Sequence, residues 1–178
     1  MQFALDRVIL MPTYTPPHKA IDDEPGVAHR LQLCAEAVAG DERRLEVSSL
    51  EAERRGTSFT VDTLEELHAR APDTQLHLIL GGDIAAGLPE WHEPERVLSL
   101  ATVAVAERTG TQRGQVQAAL AGLRGGERAR FFAMPTIEVS STMVRERVRT
   151  EKPIRYLVPD RVWRYIDAHR LYRPPEDQ

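Results

Sequence analysis

At 178 residues the chain is long enough for one domain over 1–178 with a sizeable core. A formal net charge of −4, with Lys and Arg scattered among Asp and Glu, argues against bulk attraction to nucleic acid or to an anionic membrane. The single cysteine, Cys34, leaves no internal disulfide or cysteine-rich metal site and suits a reducing cytoplasm; no apolar run is long enough to span a bilayer.

Short apolar runs rich in β-branched residues alternate with helical stretches. Arg7 to Met11, Leu45 to Ser48, Leu76 to Leu80, Thr102 to Ala106 and Phe131 to Ala133 read as strands. Val27 to Ala39, Thr60 to Arg70 and Gln112 to Leu123 read as helices. The alternation predicts an α/β domain with a mostly parallel sheet and helices on both faces. Ligands of such sheets sit beyond the carboxyl ends of the strands, so the loops after the strands carry the interest.

The first of these loops, Pro12-Thr13-Tyr14-Thr15-Pro16-Pro17-His18-Lys19, is stiffened by three prolines and ends in two donors able to meet a phosphate. A rigid surface loop explains it as well. Gly40 is placed to close the helix that holds Cys34. After the second strand, Ser58 or Thr60 can cap the next helix, or free N–H groups there can receive a small carboxylate; Phe59 is core by default, with the lining of a pocket as the alternative.

The third strand runs into Gly81-Gly82-Asp83. Glycines let a backbone approach closely, and Asp83 can accept from a ribose hydroxyl or cap a helix. Trp91 follows in a polar, proline-bounded segment, as packing or as a platform for a flat ring. His92 has no metal partner at helical spacing, and no metal site is expected. Arg108 lies just past the fourth strand, where it can face a nucleotide or sit in a surface ion pair; Ala104 and Val105 offer backbone groups to a base.

A β-branched run then stops at Ser140-Ser141-Thr142, ahead of the helical Met143 to Arg149. Ser140 or Ser141 is the expected N-cap, and Arg145 shares the first turns. Such a helix start suits an anion, most often phosphate; plain capping, with Arg145 solvated or paired to Glu138, is the rival reading. Leu157 to Ile166 reads as a structural helix with Asp160 near its cap, apolar at Val162, Tyr165 and Ile166. The helical C-terminal part covers about residues 140–173, and the tail from Pro174 is expected to fray.

Taken together, Pro16-Pro17-His18-Lys19, Ser58-Phe59-Thr60, Gly81-Gly82-Asp83, Pro89-Glu90-Trp91, Val139-Ser140-Ser141-Thr142-Met143-Val144-Arg145 and Leu157-Val158-Pro159 resemble bacterial nicotinate-nucleotide adenylyltransferases over nearly the whole chain. The resemblance implies a Rossmann-like nucleotidyltransferase that transfers AMP from ATP to nicotinate mononucleotide, giving deamido-NAD and pyrophosphate in NAD biosynthesis. Trp91 would stack on the pyridine ring, while Ser58, Phe59, Thr60 and the backbone near His92 would receive its carboxylate. Gly81 and Asp83 would face ribose, and Ala104, Val105 and Val139 would surround adenine. His18, Lys19, Arg108, Ser140, Ser141, Thr142 and Arg145 would gather phosphates, with His18, Lys19 and Arg145 nearest the chemistry and Lys19 also meeting the mononucleotide. Magnesium would arrive on the ATP phosphates without a protein cage. The partners implied are ATP and nicotinate mononucleotide, neither nucleic acid nor membrane, with homo-oligomerisation left open.

Members of that family open with a strand and a Gly-x-Phe-Asp-Pro-x-His-x-Gly-His turn that binds ATP phosphates, and Met1 to Ile9 resembles the segment after it. A strand, turn and crossover helix need on the order of 20 residues. The first strand is thus expected to be missing, leaving a gap beside the strand at Val8 to Met11 or its filling by a neighbouring chain. Two other readings stand beside adenylyl transfer to nicotinate mononucleotide. One is a non-catalytic mononucleotide-binding remnant; the other changes the acceptor to nicotinamide mononucleotide or phosphopantetheine.

Overall fold

The computed structural model describes residues 3–15, 25–107 and 113–174. In chain order they form β1 (Val8–Leu10), α1 (Val27–Val38), β2 (Leu45–Val47), α2 (Leu50–Arg54), α3 (Thr60–Arg70), β3 (Leu76–Gly81), α4 (Gly82–Ala86), α5 (Pro94–Leu100), β4 (Ala101–Glu107), α6 (Arg113–Leu120), β5 (Arg130–Ala133), α7 (Ser141–Arg149) and α8 (Asp160–Ala168). All five expected strands are present, each in register with a parallel partner. The short helices α2, α4 and α5 lie in stretches that periodicity left unassigned. The chain divides into two compact units, Phe3–Ser58 with Glu138–Gln178, and Phe59–Ile137.

In the first unit β1 pairs with β2, Val8 opposite Leu45 and Leu10 opposite Val47, and α1 makes the crossover that parallel pairing demands. Gly40, at φ 103°, follows the end of α1 in the left-handed region, as read from the sequence. Val144 of α7, Ile154, Val162 and Ile166 of α8, and Leu171 make the core, joined by Leu33 and Trp163. α1 and α8 run antiparallel: the Tyr165 hydroxyl meets His29 Nδ1 at 2.9 Å, while Glu36, two turns further along α1, meets Arg161, one turn earlier on α8, at 4.0 Å. Half-burial of Cys34 on α1 pushes its thiol above the usual range, against a smaller opposing pull from Arg30.

In the second unit the strand order is β3-β4-β5. Side chains alternate across a strand, so Val103 and Val105 of β4 and Leu78 and Leu80 of β3 share one face. There they meet Ala85, Leu88, Leu98, Val116 and Leu120, all nearly inaccessible to water. At the other end of that face α3 and α5 close the core through Val61, Leu64, Val97 and Ala101. Burying side chains of this size is worth roughly 1.5–3 kcal/mol each.

Among the described residues β1 pairs only with β2, and β3 only with β4. Each therefore keeps an unpaired edge that no described strand fills.

Gly126 is fixed by space. A Cβ there would lie 2.0 Å from the carbonyl oxygen of Leu120, a backbone atom that cannot swing away, whereas Gly122 faces open space. Gly126→Ala is expected to lower stability by about 1–3 kcal/mol or more, and Gly122→Ala to stay within about 0.5 kcal/mol of the parent. Urea melts of the two variants check this; equal midpoints would contradict the packing described.

Candidate active site

The Ser-Ser-Thr stretch forms a helix start, with Ser140 as the N-cap. Its Oγ accepts the Met143 backbone N–H at 3.1 Å, and its backbone is extended at φ −118° and ψ 154°. Helix geometry leaves the N–H groups of Ser141 and Thr142 without intrahelical acceptors. The Arg145 guanidinium lies one turn on and approaches Thr142 Oγ1 at 3.4 Å; no ion pair with Glu138 joins it among the described residues. Ser140, Ser141 and Thr142 are exposed and Arg145 partly so, giving two N–H groups, two hydroxyls and a cation on one accessible turn. Val139, just before it, is 38% exposed.

In the second unit Gly81 ends β3 and Asp83 sits in the first turn of α4. Asp83 does not cap that helix, whose N-cap is Gly81 with no side-chain hydrogen bond. A Cβ on Gly81 would lie 2.9 Å from Asp83 Oδ1, so the glycine lets the carboxylate fold back over the strand end. Ala104 and Val105 are fully buried, with Val105 in the core, so Val105 offers a ligand only its backbone. His18, Lys19 and Arg108 lie outside the described residues.

Trp91 follows a 3-10 turn at Leu88–Glu90, its N–H donating to the Leu88 carbonyl at 3.0 Å. It is partly buried against the core, so one part of the indole packs and another meets solvent. The next residue, His92, brings its ring 4.5 Å from that of Phe59, tilted by 39°.

Two expectations need correction at this point. Phe59 is 42% exposed and not in the core; it is the N-cap of α3, just outside the helix. Neither Ser58 nor Thr60 caps α3: the helix begins at Thr60, so Thr60 is already inside it and Ser58 lies one residue too early. The first N–H groups of α3 receive no side-chain cap. Ser58 itself is buried, and its Oγ has no hydrogen-bond partner among the described residues, an arrangement that costs about 1–3 kcal/mol. No described group of three or more His, Cys, Asp or Glu could hold a metal ion.

Comparison with known proteins decides the family. The cytidylyltransferase-like family model matches residues 1–147. A probable nicotinate-nucleotide adenylyltransferase of Salinibacter ruber is 40% identical over 175 residues, covering 98% of this chain and 87% of that protein. One from Synechococcus sp. (strain JA-3-3Ab) is 39% identical over 175 residues, covering 98% and 84%. The chain belongs to the nicotinate-nucleotide adenylyltransferase family. Its fold is the Rossmann-like nucleotidyltransferase fold: the solved Plasmodium falciparum nicotinic acid mononucleotide adenylyltransferase complexed with NaAD superposes with a TM-score of 0.73 at 16% identity, covering 94% of this chain and 82% of that one.

The exposed start of α7 has donors and a cation of the kind that suit a phosphate, and Ser140 caps it. The sequence left the cap open between Ser140 and Ser141, and only the Oγ contact distinguishes them. Phe59 and His92 were each singled out, but not their contact. Ser140→Ala should cost about 0.5–2 kcal/mol by freeing the Met143 N–H, and Ser141→Ala much less. Denaturation of both variants tests the assignment, and a larger loss at Ser141 would reverse it.

Proposed function

We propose that the protein transfers the adenylyl group of Mg–ATP to nicotinate mononucleotide, releasing pyrophosphate and forming deamido-NAD in the cytoplasm. The observation that carries this reading is the 40% identity, over nearly the full chain, to a nicotinate-nucleotide adenylyltransferase. The geometry described above supports it with groups suited to both substrates.

The 5′-phosphate oxygen of the mononucleotide attacks the α-phosphorus of ATP. A new P–O bond forms as the bond to the pyrophosphate oxygen breaks. That nucleophile is already ionised at neutral pH, so no strong base is needed; the work is to align two polyanions and offset charge developing on pyrophosphate. Magnesium enters as part of the nucleotide substrate. The N–H groups of Ser141 and Thr142, their hydroxyls and Arg145 hold phosphate oxygens, aided by His18, Lys19 and Arg108. Gly81 and Asp83 take ribose, and the backbone at Ala104 and Val105 with Val139 takes adenine.

At the acceptor end, Trp91 presents its exposed part to the pyridine ring. Ser58, Phe59 and Thr60, at the uncapped start of α3, receive the carboxylate together with the backbone at His92. An acid group there meets donors and the positive end of the helix.

The chain incubated with Mg–ATP and nicotinate mononucleotide should yield deamido-NAD and pyrophosphate by chromatography. Binding of the mononucleotide without turnover would instead leave a non-catalytic binder. Trp91→Ala should weaken the mononucleotide by about 1–3 kcal/mol and ATP much less; equal losses by calorimetry would make the indole packing only. Arg145→Ala should lower kcat about 100-fold with a smaller change in KM, and an unchanged kcat would remove it from the phosphate site.

A further inference from the structure

The segments that follow α7 and α8 enclose a cavity of about 560 Å³, wholly within the first unit and unused by the proposed reaction. Val148, Ile154, Trp163 and Ile166 give it an apolar lining. Lys152, Arg170 and Arg173 add three cations, against the carboxylates of Glu151 and Asp167. Arg173 is ion-paired with Asp167. Lys152 is exposed, and its ammonium has no ion-pair partner among the described residues.

Basic residues after a helix are expected on electrostatic grounds, because they face the negative end of its dipole. That accounts for the cations but not for the hollow between them. Glu151 after α7 and Arg170 after α8 lie in the left-handed region, at φ 54° and 51°, which a non-glycine residue keeps only where its surroundings impose it. Two hydrogen bonds tie the wall to α7: the Lys152 N–H donates to the Arg147 carbonyl at 2.7 Å, and Arg147 Nε to the Pro153 carbonyl at 2.9 Å. Arg155 lies over the Trp163 ring, 5.0 Å from its centroid, and steadies the indole. The lining is therefore preformed, with a fixed aromatic ring close to positive charge.

A volume of this size falls among small-molecule sites. Apolar surface with an indole takes a flat ring, and Lys152 with the arginines takes an anion. We propose that this cavity is a second binding site, for a small molecule whose planar ring carries a phosphate or a similar anion. It stands at the opposite end of α7 from Ser141, roughly 12 Å along the helix axis, so it is distinct from the phosphate turn and does not depend on which mononucleotide the enzyme accepts.

Trp91 and Trp163 are the two tryptophans of the chain, so Trp91→Phe leaves Trp163 as a single fluorescent reporter. In that background guanosine 5′-monophosphate, which joins ring to phosphate, should change the emission saturably. Guanosine alone and inorganic phosphate alone should each need at least about tenfold higher concentration. Adding Lys152→Ala should weaken guanosine 5′-monophosphate about tenfold, Lys152→Arg should restore it, and Arg145→Ala should leave it within about twofold. No saturable change, or equal potency of either fragment, would overturn the proposal. So would an unchanged affinity in Lys152→Ala, or an equal loss in Arg145→Ala, which would place the ligand at the start of α7 instead.

Discussion

Parallel pairing of β4 with β3 on one side and β5 on the other governs what the loops of the second unit can do. Gly81 stands opposite Ala106, and Glu107 opposite Ala133, so all three strands end at the same edge. Strands in a sheet lie about 4.8 Å apart, which makes the departures of three loops neighbours by construction. Gly81 leads to Asp83 from one strand, Glu107 leads towards Arg108 from the next, and Met134 is tied back by its N–H to the Glu107 carbonyl at 3.2 Å. β4 tolerates this central place because both its faces are apolar: Val103 and Val105 fill one, and the small Ala104 and Ala106 lie buried on the other.

Two helix starts in the chain are treated in opposite ways, and the difference matters for ligands. At α7 the Ser140 hydroxyl satisfies the Met143 N–H, fixing the first turn, while the two earlier N–H groups remain directed outward beside Arg145. At α3 no side chain caps the start, and exposed aromatic rings stand where a capping hydroxyl would be. The first arrangement combines rigid donors with a full positive charge, as a phosphate requires. The second combines donors with flat apolar surface, which suits a carboxylate carried on a ring.

Much of the architecture was legible in the sequence. Each strand was found because its run is short and largely apolar, as Thr102 to Ala106 is, and Gly40 and Ser140 marked helix ends by chemistry that has few alternatives. The helices at Leu50–Arg54, Gly82–Ala86 and Pro94–Leu100 were not legible, since five to seven residues carry too little periodicity to be told from a turn. Their helicity comes from packing, as with Val97 and Leu98, which are wholly buried against the sheet. Phe59 was read as core by default because an isolated aromatic residue is usually buried; as the N-cap of α3 it is 42% exposed. The ring contact between Phe59 and His92 spans 33 positions, and no local pattern encodes it.

Adenylyl transfer to a phosphate asks little of a protein in the way of proton movement and much in the way of fixed positive potential. Helix ends suit that demand. In the proposed mechanism the N–H groups at the start of α7, held in place by the hydrogen bonds that make the helix, would not need to reorganise as charge moves onto pyrophosphate. A lysine or arginine on a loop gives a stronger charge but loses side-chain freedom when it closes on the ligand. Arg145 falls between the two. It rises from the rigid turn that Ser140 caps, and its approach to Thr142 already limits where the guanidinium can go. On the proposed mechanism the cap at Ser140 would matter to catalysis as well as to stability: weakening it would loosen the donors on which the alignment of two polyanions depends.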